Sequence, residues 1–364
     1  MGLTRLDIFN LRIISRIRMM PVSGLNLIVG PNASGKTSLL EAISLLATGR
    51  SFRSARVDTV VREGQKEVMV AGLLNTPGTS SETTVGISKG PSRTRARIAG
   101  RSVHTQSDLA RLMPVQMIHP DSHSMLTGGP SERRAFVDWG LFHTQDGYAE
   151  LLRDYRRVLS QRNDGLRHGL ANTLLRPWEI ELERLAKQID EARGNYLTSL
   201  LPELEEIKHV LPEVRDLEWS YRRGWRDGEE LSALFEQGRD REREVGHTLL
   251  GPHRADIAFK KSGIGVSTHA SRGQQKSVVL GLRLIQVAAL FRASGQRAMV
   301  LIDDLPSELD AQRRQAIGQL LAQMQTQVFV TAIDIDPSDL GCWKEFALFH
   351  VEHGGLVANA SADA

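Results

Sequence analysis

Cysteine is almost absent. Cys342 stands alone in 364 residues, which excludes an internal disulfide and any zinc site built from clustered cysteines, and suits a reducing cytoplasm. Long apolar runs are also missing: the richest stretch, 277–291, contains Arg283 and Gln286 and stays below the roughly 18 apolar residues of a membrane span, so no membrane partner is expected. Arg5, Asp7 and Arg12 interrupt the first apolar residues, so no signal pattern opens the chain. Aromatic residues reach only 5%. With no RNP-type aromatic pattern and no zinc-finger spacing, base-specific reading of a nucleic acid is not expected, and contacts to phosphate and duplex shape are. An Asn-Lys-x-Asp motif, which a guanine-specific GTPase needs, occurs nowhere. Internal repeats and low-complexity segments are lacking as well.

What is present is an ordinary globular composition, 41% hydrophobic and 24% charged, on a chain long enough for a large core and a second lobe. The formal charge is only +3, yet the isoelectric point is about 9.1. The cations are mostly arginine, whose planar fork suits phosphate; a GC-rich coding sequence produces the same bias.

Short β-like runs open the chain: "LTRLDIF", "LRIISRIRM" and "GLNLIVG". Further alternating runs, "KEVMVAGLL", "ETTVGIS" and "RTRARIAG", read as an antiparallel meander, and "PVQMIHP" as one more core strand. From "TGGPSERRAF" to about residue 244 helical patterns dominate, with breaks expected at Pro177, Pro202 and Pro212. Strand signals return at "ADIAFKK", "RAMVLIDD" and "TQVFVTAID". The fold class expected is α/β: a core lobe with a mixed sheet and a meander, carrying an inserted, mostly helical second lobe. The lobes are expected at 1–125 plus 245–364 and at 126–244. The tail "GGLVANASADA" reads as frayed.

Gly30–Thr37, "GPNASGKT", matches G-x-x-x-x-G-K-[ST] and sits between an apolar strand and a helix. Glycines let backbone N–H groups turn around phosphates, and the helix amino terminus adds a positive dipole. Gly30, Pro31, Asn32, Ala33, Ser34, Gly35, Lys36, Thr37 and Ser38 are therefore the expected ATP-binding residues. Lys36 would reach the β- and γ-phosphates and Thr37 would hold Mg²⁺. "MVLIDD" supplies the second half: Asp303 for the Mg²⁺ shell and Asp304 to polarise the attacking water. Ser307, in "SELD", reads as a helix cap or a contact across a subunit boundary, and Thr331 in "TAID" as a γ-phosphate sensor. In "GRSFRSAR", Arg50, Arg53 and Arg56 give +3 with no acid in the segment, which makes the loop a candidate DNA-phosphate contact. The arginines at 153, 156, 157, 162 and 167 read mainly as a salt-bridged helix face.

The blocks "NLR", "GPNASGKTSLLEAISLLATGRSFRS", "GPSERRAFVDW", "LLGPHRADI", "SRGQQK" and "LIDDLPSELD" occur in an order and spacing that resemble the RecF family, related to SMC and ABC ATPase heads, over about residues 1–335. The resemblance implies an ABC/SMC-head-like P-loop ATPase lobe and an ATP-dependent head-to-head dimer; the carboxylate of Asp304, one methylene shorter than glutamate, fits slow hydrolysis by a weak, DNA-stimulated ATPase acting as a switch. The resemblance implies binding to single-stranded and duplex DNA at gaps or junctions, with RecO and RecR as partners and RecA loading as the outcome. It also implies that "SRGQQK", through Ser271, Gly273 and Gln274, completes the ATP site of the opposite subunit. His253 and Arg254 lie in a family block. Two departures stand out: "HPDSHSML" replaces the family's acidic "PED", leaving Asp121 but placing Ser122 at the second acid, and Walker B ends Asp-Asp where transporters have Asp-Glu. Gln116 is a candidate metal-sensing glutamine. The alternative is an ABC-type ATPase subunit of another system, a transporter or an SMC-like tether.

Overall fold

The structure, a computed structural model, describes residues 2–54, 56–75, 82–103, 105–305 and 310–357. It divides into two units, Met1–Ser122 with Leu280–Ala364, and His123–Val279.

Two six-stranded sheets build the first unit. Strands β1 (Gly2–Leu11) and β2 (Ile14–Met19) join β4 (Val68–Asn75), β5 (Glu82–Lys89), β6 (Thr94–Ile98) and β7 (Arg101–Val103) in an antiparallel sheet of order β2-β1-β4-β5-β6-β7. The other sheet has the order β15-β14-β3-β13-β12-β8. Its strands are β3 (Leu25–Val29), β8 (Val115–Ile118), β12 (Met299–Ile302), β13 (Val328–Ala332), β14 (Phe346–Glu352) and β15 (Gly355–Val357). All of its pairs are parallel except β14–β15. Its central strands β3, β12 and β13 are buried at every position, as strands covered on both faces must be, which is why they read as unbroken apolar runs. The antiparallel strands alternate instead, buried toward the core and open outward. Helix α1 (Lys36–Thr48) is buried along Ser38–Ala47 because its side chains share one core with residues of both sheets. Helix α2 (Gln106–Leu112) leads into β8.

The chain end departs from expectation. Gly355–Val357 do not fray: they pair with β14, which itself lies parallel to β3, and Val351 is wholly buried. Residues 358–364 lie outside the described chain.

In the second unit the helices are α3 (Ser124–Thr127), α4 (Pro130–Thr144), α5 (Tyr148–Arg167), α6 (Asn172–Ser199), α7 (Leu201–Ile207), α8 (Leu231–Val245) and α9 (Val266–His269). A small sheet of order β11-β10-β9 joins β9 (Leu217–Arg222), β10 (Asp256–Lys261) and β11 (Ile264–Gly265). That sheet corrects the expected boundary at 244/245. β10 pairs along its whole length with β9, so residues 256–261 belong to the insertion, and the division falls after Val279, inside α10 (Arg272–Ser294). Helix α10 is long and apolar enough to cross a membrane, but 67% of its most apolar window is buried in the protein. Pro177 does not break α6. It sits in the second turn, where the bond lost to residue 173 is outweighed by burying Leu175, Leu182 and Leu185, each worth about 1.5–3 kcal/mol. Helix α11 (Ala311–Gln323) lies between β12 and β13 in the chain and is capped by Asp310.

Candidate nucleotide-binding site

The loop after β3 is shaped by backbone that few residues tolerate. Gly30 has φ 154°, and a Cβ there would lie 2.2 Å from the Val351 carbonyl oxygen. Ala33 is also left-handed, with φ 61°. The loop is braced from behind by the β14–β15 hairpin, whose Gly354 N–H donates to the Ser34 carbonyl at 2.9 Å. Nothing in the local sequence announced that brace, because it comes from some 320 residues downstream. Pro31, Asn32 and Ala33 are exposed, while Ser34, Gly35 and Ser38 are buried. Ser34 Oγ is buried without a hydrogen-bond partner, an orphan polar atom aligned with a loop built for an anion.

Lys36 Nζ donates to the carbonyl oxygens of Gly30 (2.7 Å) and Pro31 (2.8 Å), so one of its three N–H donors remains for a phosphate oxygen. Partial burial lowers its pKa below the usual lysine value, with Asp304 and Asp303 acting in the opposite direction.

The acidic half arrives on β12, separated from β3 by β13 alone. Thr37 Oγ1 lies 2.9 and 3.1 Å from the two Asp303 oxygens. Thr331, at the end of the intervening β13, donates to Asp303 Oδ1 at 2.7 Å and accepts from the Asp304 N–H at 2.9 Å. Asp304 is held left-handed, φ 57°, a conformation short polar residues accept more readily than others. Thr331 thus anchors both acids, with no phosphate needed to explain its place. Asn32–Ser38, Asp303, Asp304 and Thr331 line one cavity of about 460 Å³ at the carboxyl ends of the parallel strands, where open α/β sheets place ligands. Thr37 and Asp303 offer hard oxygen donors of the kind magnesium takes alongside phosphates and water. Among the described residues no group of three His, Cys, Asp or Glu could hold a metal.

The same cavity is lined by residues not expected there: Arg12, Ile13, Arg53, Pro120 and Ile333. Arg12 grips the wholly buried Glu41 through two bonds, 2.9 and 2.7 Å, and Arg53 comes within 3.9 Å of the same carboxylate. The loop 49–56 is therefore not an unopposed cluster. Arg53 turns toward Glu41, Arg56 pairs with Asp58 at 2.8 Å, and Arg50 donates to Gln106 at 3.1 Å. Folding brings in acids that the segment itself lacks.

Gln116 is buried, and its amide meets Gln286 (2.9 Å) and Arg283 (3.3 Å) of α10; neither it nor Asp121 lines the cavity. Ser271, Gly273 and Gln274 are exposed at the start of α10, in the second unit. The Ser271 N–H donates to Gln274 Oε1 at 2.9 Å and the Gln274 N–H to Ser271 Oγ at 3.3 Å, a reciprocal capping box. Ser307 lies outside the described residues. His253 is structural in its surroundings: Nε2–H donates to the Thr248 carbonyl (3.1 Å), which fixes Nδ1 as acceptor for the Tyr155 hydroxyl (2.7 Å). Burial pushes its pKa down to about 4.

The RecF/RecN/SMC N terminal domain model matches residues 2–341. The chain is 45% identical to the DNA replication and repair protein RecF of Thioalkalivibrio sulfidiphilus, covering 98% of this chain and 99% of the relative. It is 39% identical to the RecF of Pectobacterium atrosepticum, covering 99% of each. Among solved structures, the recombination mediator protein RecF-ATPrS in the RecFOR pathway superposes with a TM-score of 0.83 at 25% identity, over 98% of this chain and 97% of that one. The Smc head domain from Pyrococcus furiosus gives 0.58 at 14% identity over 97% and 94%, a likeness of fold. With a family model over most of its length and relatives this similar from end to end, the chain belongs to the RecF family, within the wider RecF/RecN/SMC group of heads.

Proposed function

We propose that the chain is an ATP-dependent DNA-binding switch of recombinational repair and replication restart, acting in the cytoplasm on the nucleoid. One observation carries the reading: Thr37 and Asp303, 266 positions apart, meet at 2.9 Å at the mouth of a phosphate loop. Gly30–Ser38 would cradle the triphosphate of ATP, Lys36 would contact its outer phosphates, and Thr37 and Asp303 would hold magnesium. When bound, the metal would neutralise charge developing on the transferred phosphoryl group. Asp304, set by Thr331, orients the attacking water. As the shorter homologue of glutamate it holds that water loosely, which suits the slow turnover of a weak, DNA-stimulated ATPase.

Ser271, Gly273 and Gln274 complete the site of a second copy in a head-to-head dimer. The exposed amino terminus of a 23-residue helix brings a positive dipole and N–H groups to the partner's γ-phosphate. Closure of that dimer on gapped or junction DNA, single-stranded and duplex, together with RecO and RecR, prepares the loading of RecA. RecFOR is the pathway in which the superposable RecF structure is placed. A transporter subunit or an SMC-like tether is less well supported: the longest helix of the insertion has 28 residues, about 42 Å, far short of a coiled-coil arm.

Sedimentation with and without ATP tests the switch. The wild type should dimerise with ATP, while Lys36→Met and Ser271→Arg should remain monomeric. A wild type that ATP leaves monomeric overturns the clamp. If Lys36→Met alone fails to dimerise, the contribution of Ser271 across the interface is wrong.

A further inference from the structure

The outward face of the antiparallel sheet carries an ordered set of arginines. Register places Arg16, Phe9, Met69, Ser88 and Arg95 in one row across β2, β1, β4, β5 and β6. The next row reads Arg18, Asp7, Ala71, Gly86 and Arg97. Directly paired residues share a face, so arginines border this face on both sides. Its floor is low: a Cβ on Gly86 would meet nothing closer than 3.8 Å.

The acids on this face are few and engaged. Asp7 is 5% exposed and pairs with Arg5 (2.9 Å) and Arg18 (2.5 Å). Glu67 accepts from Ser88, and Glu82 from Thr4. Arg95 and Arg97 are exposed and Arg16 packs over the Phe9 ring; among the described residues none of the three has an acidic partner. A solvated polar face is the default for such a sheet. Here, however, the unpaired charges are of one sign and arranged by the pleat.

We propose that this face binds the phosphate backbone of duplex DNA, with Arg95 and Arg97 on one rim and Arg16 on the other. The proposal rests on the DNA-binding reading above and gives it a place. The rims are four strand spacings apart, about 19 Å, wide enough to straddle a B-form groove, of which the wider is about 12 Å. One rim alone serves a single strand, so duplex is the better occupant. The face has no aromatic platform for stacked bases beyond the partly covered Phe9, which fits backbone contact without sequence reading.

The test is duplex binding across salt, with ATP, for the wild type, Arg95→Ser/Arg97→Ser, Arg16→Ser, and Arg156→Ser/Arg176→Ser. The last removes two exposed arginines of the other unit and controls for net charge. Loss of two phosphate contacts should lower the salt slope by about 1.8, so that between roughly 50 and 200 mM salt the rim variant loses about tenfold less affinity than the wild type. Arg16→Ser should lower the slope by about half as much, and the control should leave it unchanged. ATP-dependent dimerisation of every variant shows that the fold is intact. An unchanged slope in the rim variants, with the wild type binding duplex, overturns the location while leaving the DNA-binding reading standing. A wild type that binds no DNA removes both. Retained duplex binding with lost capture of a polyglutamate peptide would make this a protein-docking face and also overturn the proposal.

Discussion

Asp303 shows how much one residue's neighbourhood decides. Its carboxylate meets the Thr37 and Thr331 hydroxyls, so a strand end that reads as an acidic turn becomes part of a site. The motif made Thr37 and Asp303 legible as partners. Arg12 was not legible, because its role depends on Glu41, buried inside α1 where no local pattern shows it. His253 gives a prediction at this scale. Its pKa of about 4 lies below the value of about 6.5 expected unfolded. The unfolded chain therefore takes up the proton first as pH falls, and stability is lost from about pH 6.5 downward until the folded state also protonates near 4. The loss reaches at most about 3 kcal/mol at 1.36 kcal/mol per unit. Urea melts between pH 7 and 5 should be flatter for His253→Gln than for the wild type; equal slopes would mean that His253 is not buried neutral.

Elements were legible where periodicity was local. Strands such as β4 and β10 and the loop before α1 follow from alternation and glycine placement. The β14–β15 hairpin was not, since its short strands owe their order to pairing with β3. The start of helix α10 combines one observed role with one proposed role. Its capping box explains why serine and glutamine stand three apart, and its exposed amino terminus is free to serve a neighbour. Ser271→Ala separates the two. Loss of the cap should cost about 1 kcal/mol in chemical denaturation, while ATP-dependent dimerisation persists through the backbone N–H groups. A variant that loses dimerisation but no stability would show that the hydroxyl acts only across the interface.

For the whole molecule, the second unit is specified by charge inside its core. Arg162 is fully buried and pairs with Glu179 (3.0 Å) and Glu242 (2.7 Å), while Arg239 meets the other oxygen of Glu179 at 2.8 Å. By spacing Arg162 belongs with Arg153, Arg157 and Arg167, which pair with acids three residues away on the surface. Tertiary packing alone sets it apart, so no sequence pattern could. Arg162→Ala leaves buried Glu242 without its cation and Glu179 with Arg239 alone, and should destabilise this unit by about 3–5 kcal/mol, read as an early transition in denaturation. A shift below about 1 kcal/mol would show that water reaches the site.

The order of strands around β3 sets a schedule for synthesis. Both neighbours of β3 come from the far end of the chain, β13 at Val328–Ala332 and β14 at Phe346–Glu352. The insertion, by contrast, is complete at Val279. On the ribosome, then, the helical lobe can fold early, while the strand bearing the phosphate loop waits, unpaired, for the final residues. Such distant pairing is slow and leaves strand edges open meanwhile. A nascent chain therefore has no phosphate cradle until Val328–Glu352 have been made, and copies that stop short of them are barred from the ATP-driven pairing proposed above.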